Sequence, residues 1–192
     1  MSLPLCARVD ETDERSAEAL VADGWRPIEI LETWYSNVAY PMAETHDFDI
    51  RRLRSSDRVA CHFILGQNNY PLSRLFTDPN VPFVLADSTR GAWLRSVFDN
   101  DYLCLVADED DVMAFITCYP YRGANRIGFL AVLNQYQGRG IAKALVRDLI
   151  RRVKTDMYAG TQAHNESARG LYASLGFECI GRQTTFHKSV AA

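Results

Sequence analysis

The chain has 192 residues, of which 47% are hydrophobic and 23% are charged, and its formal net charge is -3 at pH 7. These values are typical of one globular domain, or one domain with an appendage, and they argue against disorder and against nucleic-acid binding, which usually needs a basic surface. No apolar run approaches the roughly 20 residues that cross a bilayer, and the first residues lack the basic and apolar regions of a signal peptide, so we expect a cytoplasmic protein that inserts in no membrane.

The cysteines are scattered, odd in number and without a CxxC pair, so free buried thiols are expected. They are Cys6, Cys61, Cys104, Cys118 and Cys179. The histidines lack the spacing of metal ligands, and we expect no metal site.

The first part of the chain is predicted to form a strand, a helix and a strand. Alternating hydrophobicity favours strands at 5–9 and 25–35, and acidic residues followed by Gly24 favour a helix between them. Residues 20–35 align with 172–187 as a weak internal repeat, although chance remains an alternative over so short a window. We therefore divide the chain into an N-terminal unit, 1–45, serving as scaffold or substrate wall, and a main domain, 46–192.

The main domain is predicted to contain three adjacent strands followed by strand and helix in alternation. Its first half consists of a strand at 48–54, a helix at 57–66, a loop at 67–82 interrupted by prolines, and a helix at 88–98. Its second half consists of strands at 102–108, 112–120 and 126–133, a helix ending near 153, a strand at 157–163, a helix at 166–176 and a strand at 177–188. This order indicates a mixed sheet in an α/β or α+β domain.

A glycine-rich turn, NQYQGRGIAKAL at 134–145, joins a predicted strand to a predicted helix. Exposed backbone N–H groups and the helix dipole favour an anion such as phosphate at this kind of junction. The P-loop pattern is absent, and GxGxxG fails because Lys143 stands where the third glycine would be. Taken alone, the turn is also compatible with an ordinary glycine turn.

Two motifs in the order expected resemble the GNAT superfamily of acyl-CoA-dependent N-acyltransferases, over about residues 48–188. The turn matches Q/R-x-x-G-x-G/A at Gln137, Gly140 and Ala142, and a register two residues earlier also fits. Downstream, NESARGLYASLGF matches N-x-x-A-x-x-L-Y-x-x-x-G-F from Asn165 through Tyr172. The resemblance implies a GNAT fold, α/β (α+β), with a mixed, mainly antiparallel sheet flanked by helices and a partial GNAT-like unit at the N-terminus.

The resemblance also implies acetyl-CoA as cosubstrate and assigns residues to it. Leu130, Ala131 and Val132 would admit the pantetheine arm, and a backbone N–H among them would polarise the thioester carbonyl. Asn165 would bind the pantetheine and cap its helix. The pyrophosphate would lie on the turn, at Gln137, Gly138, Arg139, Gly140, Ile141, Ala142 and Lys143. The side chain of Arg139 could reach phosphate or lie in solvent.

Tyr172 is the candidate general acid. A phenol, with a reference pKa of about 10, stays protonated at neutral pH and can give its proton to a departing thiolate. The alternative is a core aromatic side chain. No general base is assigned, since His164 and Glu166 have little positional support and ordered water could serve.

Within the superfamily the chain is most similar to the TDP-fucosamine acetyltransferases, through SRLFTDP at 73–79, the helix bearing Trp93 and the ending TTFHK. This similarity implies a nucleotide-linked amino sugar as acceptor. Its candidate contacts are Tyr70, Arg74, Phe76 and Trp93, with Arg90 and Arg95 as further cations. A loop anchored by buried aromatic side chains, with solvated arginines, is the alternative.

Other functions stay open. The acceptor could be a peptide or protein N-terminus or an antibiotic-like amine, and the domain could be an acyl-CoA-binding sensor without transferase activity. An exposed edge on the final strand could support a homodimer.

Overall fold

The computed structural model describes residues 2–37, 46–67 and 73–189. Its strands are β1 (Leu5–Asp10), β2 (Arg26–Ser36), β3 (Asp49–Arg52), β4 (Leu103–Asp108), β5 (Val112–Tyr121), β6 (Ala124–Val132), β7 (Met157–Gln162) and β8 (Glu178–Lys188). Its helices are α1 (Glu14–Ala22), α2 (Arg58–Gln67), α3 (Arg74–Thr77), α4 (Phe83–Asp99), α5 (Ile141–Val153) and α6 (Glu166–Ser174).

The strands form one sheet in the order β1-β8-β2-β7-β6-β5-β4-β3. The pair β6–β7 is parallel, and the other neighbouring strands are antiparallel. The prediction of a mixed, mainly antiparallel sheet flanked by helices is therefore confirmed.

The strands of the N-terminal unit lie among those of the main domain. β8 is inserted between β1 and β2, and β2 also pairs with β7. The expected free edge on the final strand is therefore wrong for residues 183–187, because β1 and β2 cover both sides of β8 there. The division at residue 45 stays a prediction.

Helices cover both faces of the central strands. Residues 113–118 of β5 are all buried, because α5 packs on one face of the sheet and α2 on the other. A strand covered on both faces is apolar without alternation, as the sequence of β5 is. No helix among the described residues is both long and apolar enough to cross a membrane.

The cysteines divide into two groups. Cys61, Cys104 and Cys118 are buried, and burial raises the pKa of each thiol to about 12, so these thiols are poor nucleophiles. Cys6 and Cys179 are exposed. The expectation of buried thiols was therefore wrong for these two.

The proline-interrupted segment contains more helix than predicted. α3 lies inside the expected loop, and α4 begins at Phe83 rather than near residue 88. Pro82 fits just before the helix, where no N–H is needed. Phe83 and Val84 are 63% and 77% exposed, so their apolar side chains interrupt the amphipathic pattern that would have marked the first turn.

Candidate functional site

A cavity of about 720 Å³ lies where β6 and β7 separate. These strands pair only at Asn125↔Met157 and Arg126↔Tyr158. Beyond those pairs, residues 127–132 of β6 and 160–162 of β7 line the cavity. The first turn of α5, one face of α6 and part of the α3–α4 segment complete its walls.

An irregularity in β6 accompanies the separation. The β5–β6 register shifts between Ile116 and Cys118, and the hydroxyl of Thr117 accepts a hydrogen bond of 2.8 Å from the backbone N–H of Phe129. A Cβ on Gly128 would lie 2.8 Å from Thr117 Oγ1, so glycine is needed for this close approach. Such a bulge bends its strand, which here helps to turn β6 away from β7.

The glycine-rich turn presents the N-terminus of α5 to the cavity. Gly138 and Gly140 have φ values of 80° and 79°, in the left-handed region that glycine adopts without strain, and Gly140 is the N-cap. Because Gly140 has no side chain, it makes no capping hydrogen bond to the first turn of the helix. Gln137 Nε2 donates to Asn134 Oδ1 at 3.1 Å, which braces the turn. The arrangement suits an anion at the start of the helix.

Arg139 is the predicted turn residue that does not line the cavity. Its guanidinium forms ion pairs with Glu109 at 2.6 Å and Asp47 at 3.2 Å, and it lies over the ring of Tyr136. The other predicted turn residues, together with Leu130, Ala131 and Val132, all line the cavity. Arg139 is therefore placed to hold the turn against its neighbours rather than to contact a ligand in the cavity.

α6 brings Asn165 and Tyr172 to the same wall. Asn165 is the N-cap, and its Oδ1 accepts a hydrogen bond of 3.1 Å from the backbone N–H of Ala168. Tyr172 is 4% exposed, and its ring lies 5.3 Å from that of Phe177 and 6.3 Å from that of Trp34, between centroids. The Tyr172 ring is thus part of the core while the residue also faces the cavity.

The α3–α4 wall contains some of the predicted acceptor contacts. Phe76 and Trp93 line the cavity, and Trp93 is 41% exposed. Arg74 does not line it: its guanidinium lies over the Trp93 ring, and Nη1 is 3.2 Å from His187 Nε2. Tyr70 lies outside the described residues. Arg90, which also lines the cavity, is buried.

A buried polar network behind Arg74 was not predicted. Nδ1 of His187 is 2.8 Å from Asp78 Oδ2, and Arg26 contacts Asp78 Oδ1 at 3.0 Å. Because the Arg74 guanidinium can only donate, Nε2 of His187 accepts from it and Nδ1–H donates to Asp78. The two partners of this pair are 109 residues apart in sequence, so no local pattern indicates it.

The network sets the protonation of both members. Burial lowers the pKa of His187, and the neighbouring arginines act in the same direction, while Asp78 opposes them. Burial alone would raise the pKa of Asp78, but hydrogen bonds from Asn80, His187 and Arg26 outweigh it, so the pKa of Asp78 is lowered. A neutral imidazole and an ionised carboxylate result.

Replacing His187 with glutamine, which keeps a donor and an acceptor but does not titrate, is expected to reduce the loss of stability in mild acid. The folded-state pKa of His187 lies below its ordinary value of 6.5. Between these two pKa values the unfolded chain binds a proton that the folded chain does not, so stability falls as the pH falls below 6.5. Urea unfolding from about pH 7.5 to about pH 5 measures this slope.

The matched control is His164→Gln, because His164 is an exposed histidine. An equal slope for wild type and H187Q would contradict the prediction.

No group of three or more His, Cys, Asp or Glu side chains suited to a metal ion occurs within residues 2–37, 46–67 and 73–189.

Comparison with known proteins identifies a family. The model of the acetyltransferase (GNAT) family matches residues 70–177. The chain is 44% identical to human N-acetyltransferase 8B over 62 residues, which are 30% of this chain and 27% of that protein.

Two solved structures have a similar fold. A GCN5-related N-acetyltransferase from Sphaerobacter thermophilus gives a TM-score of 0.69 at 18% identity, over 96% of this chain and 60% of that one. A putative acetyltransferase from Salmonella typhimurium, solved with its cofactor acetyl-CoA, gives a TM-score of 0.50 at 23% identity, over 77% of this chain and 98% of that one. The chain spans less than two thirds of the human and Sphaerobacter proteins.

Proposed function

Because this chain belongs to the acetyltransferase (GNAT) family, we propose that it is an acetyl-CoA-dependent N-acetyltransferase that transfers the acetyl group directly to an amino group of a small acceptor. The cavity between β6 and β7 is the observation that carries the proposal, because it brings the glycine turn, Asn165 and Tyr172 to one space. Acetyl-CoA in the Salmonella structure supports the choice of cosubstrate.

The described walls fit acetyl-CoA. The N-terminus of α5 offers backbone N–H groups and the positive end of the helix dipole to the pyrophosphate, with Lys143 beside it. The pantetheine arm would extend along Leu130, Ala131 and Val132, between the separated strands. Asn165 would contact the arm from α6 while capping that helix.

Each chemical step then has a residue that serves it. Attack of a neutral amine on the thioester carbonyl places negative charge on the oxygen, which a backbone N–H at Ala131 or Val132 would stabilise. Collapse of this intermediate breaks the carbon–sulfur bond and releases a thiolate. Tyr172 would donate its phenolic proton to that sulfur, and the proton lost from the attacking nitrogen would restore the phenol through solvent.

The amine is proposed to react in its neutral form after losing its proton to solvent. No carboxylate or imidazole occurs among the described residues that line the cavity. His164 and Glu166, the weak candidates from the sequence, are exposed and lie outside that lining.

For the acceptor we propose an amino sugar linked to a nucleotide. The half-exposed indole of Trp93 and the ring of Phe76 provide flat apolar surfaces for a base or a sugar ring. A peptide N-terminus, an antibiotic-like amine and a sensor without turnover are the alternatives. A homodimer and a cytoplasmic location stay predictions.

A thiol-release assay with acetyl-CoA tests the proposal. The panel contains TDP-linked amino sugars, the matching free amino sugars, peptides and aminoglycosides. Turnover with the nucleotide-linked amines alone supports the full proposal, and turnover with peptides or aminoglycosides would replace the acceptor class while keeping the reaction. Binding of acetyl-CoA without release of thiol from any amine would contradict the transferase assignment and favour the sensor.

A further inference from the structure

The described wall of the cavity carries positive charge and no negative charge. Arg90 and Lys143 are its charged side chains, and none of its described residues is acidic. Composition does not explain this, since the chain has 24 acidic and 21 basic residues. Lys143 lies at the start of α5, on the proposed pyrophosphate side, whereas Arg90 belongs to α4 and the opposite wall.

Arg90 is buried with part of its hydrogen-bonding capacity unused. The residue is 5% exposed, its Nη2 contacts Asp87, and its guanidinium lies 5.0 Å over the ring of Phe76. No described residue accepts a hydrogen bond from Nη1, which is itself buried. An unsatisfied buried donor on a cationic group is unfavourable, and it is explained if a ligand supplies the acceptor.

Other nearby arginines lack this combination. Arg74 contacts His187 and Trp93, and Arg95 is exposed on the surface of α4. Arg126 lies over the ring of Tyr121 and is not among the residues that line the cavity. Of the described arginines, Arg90 alone lines the cavity.

Glu29 is a buried carboxyl that contacts a residue of this wall. Glu29 receives a hydrogen bond from Gln162, a cavity residue, and another from the backbone of Arg74. Burial raises the pKa of Glu29, which favours the neutral carboxyl. A cationic acceptor would therefore meet a guanidinium on this side, where the neighbouring carboxylate, Asp87, is already paired with it.

We propose that the acceptor carries an anionic group, a phosphate or a carboxylate, and that the guanidinium of Arg90 binds it as a specificity-determining residue. The proposal rests on the transferase function above, because it concerns the second substrate of that reaction. It favours nucleotide-linked amines and amino acids over aminoglycosides and basic peptides, since a cation near Arg90 is repelled. Phe76 beneath the guanidinium holds it in place.

A binding experiment tests the proposal without turnover. The enzyme is first saturated with CoA, which covers the anion site at α5, and is then titrated calorimetrically with inorganic phosphate, TDP or acetate. At least one of these anions is expected to bind wild-type protein, and Arg90→Gln to weaken that binding about 10-fold or more. Comparing the affinity for phosphate with that for acetate shows whether the anionic group is a phosphate or a carboxylate.

Control variants separate charge from folding. Arg95→Gln removes a guanidinium from the same helix outside the cavity, and its anion affinity should equal that of wild type. Arg90→Lys keeps the positive charge and should retain part of the affinity. Binding of CoA and the melting temperature confirm that each variant is folded, and if R90Q is not folded, R90K against R95Q provides the test.

Kinetics completes the test. For an accepted amine, R90Q should raise the acceptor KM about 10-fold or more and leave the acetyl-CoA KM unchanged, while a neutral ester or amide of the same amine should show no such difference. Equal anion affinity in wild type and R90Q, or no anion binding to wild type, would overturn the inference. Absence of thiol release with normal anion binding would instead contradict the transferase function.

Discussion

Replacement of Tyr172 by phenylalanine is expected to lower kcat by between about 100- and 10,000-fold, the usual contribution of a general acid. The ring that packs against Trp34 and Phe177 is retained, so the fold and the affinity for acetyl-CoA should be preserved. The departing thiolate would have to take its proton from solvent. Steady-state kinetics with the best acceptor and calorimetric titration with CoA measure the two effects separately.

Tyr136→Phe is the matched control, because Tyr136 also lines the cavity but lies at the glycine turn, beneath Arg139. Its kcat should remain near that of wild type. Unchanged turnover in Y172F would remove the general-acid role and leave Tyr172 as a packing residue. An equal loss of kcat in both variants would show that the hydroxyl of Tyr172 is not special.

Ala142→Asp is expected to weaken acetyl-CoA binding by about 100-fold or more, because it places a carboxylate beside the proposed pyrophosphate site. The same change should leave the protein as stable as wild type, or slightly more stable. An acidic side chain in the first turn of α5 interacts favourably with the helix dipole, by about 0.3–1 kcal/mol. Calorimetric titration with CoA and thermal unfolding measure the two opposite effects.

A truncated donor shows whether the effect is electrostatic. Acetyl-pantetheine lacks the pyrophosphate, so its reaction should be nearly equal in A142D and wild type. Ala142→Ser introduces an uncharged polar side chain close in size to alanine. This variant should bind CoA almost normally. An equal loss of reaction rate with acetyl-CoA and with acetyl-pantetheine would argue against a phosphate site at the start of α5.

What the sequence could predict depends on how local the determining contacts are. The start of α5 was predictable because Gly140 and the apolar spacing of Ile141, Leu145 and Leu149 lie within one short stretch. The cavity lining at 130–132 and at Asn165 was also inferred, because the family resemblance implies both positions and a motif marks Asn165. The start of α4 was missed because Phe83 and Val84 are apolar and exposed, contrary to the pattern that indicates a surface helix.

Features that depend on distant contacts were not predictable in this way. The pairing of His187 with Asp78 joins β8 to the residue that follows α3. The same histidine contacts Arg74, which the sequence suggested as a substrate contact. Arg90 was indistinguishable from Arg95 in the sequence, since both are cations on one helix. Only their burial separates them, and burial is set by how α4 packs.

The insertion of β8 between β1 and β2 has a consequence for how the protein folds. During synthesis β1 and β2 are made well before β8, their shared hydrogen-bonding partner. Until then β2 exposes apolar side chains such as Leu31 and Trp34 that the finished sheet buries. Pairing strands that are far apart in sequence also carries a large loop-closure entropy and slows folding. Completion of the sheet is therefore expected to wait for the synthesis of β8, and this protein should depend on chaperones more than one whose sheet forms from neighbouring strands.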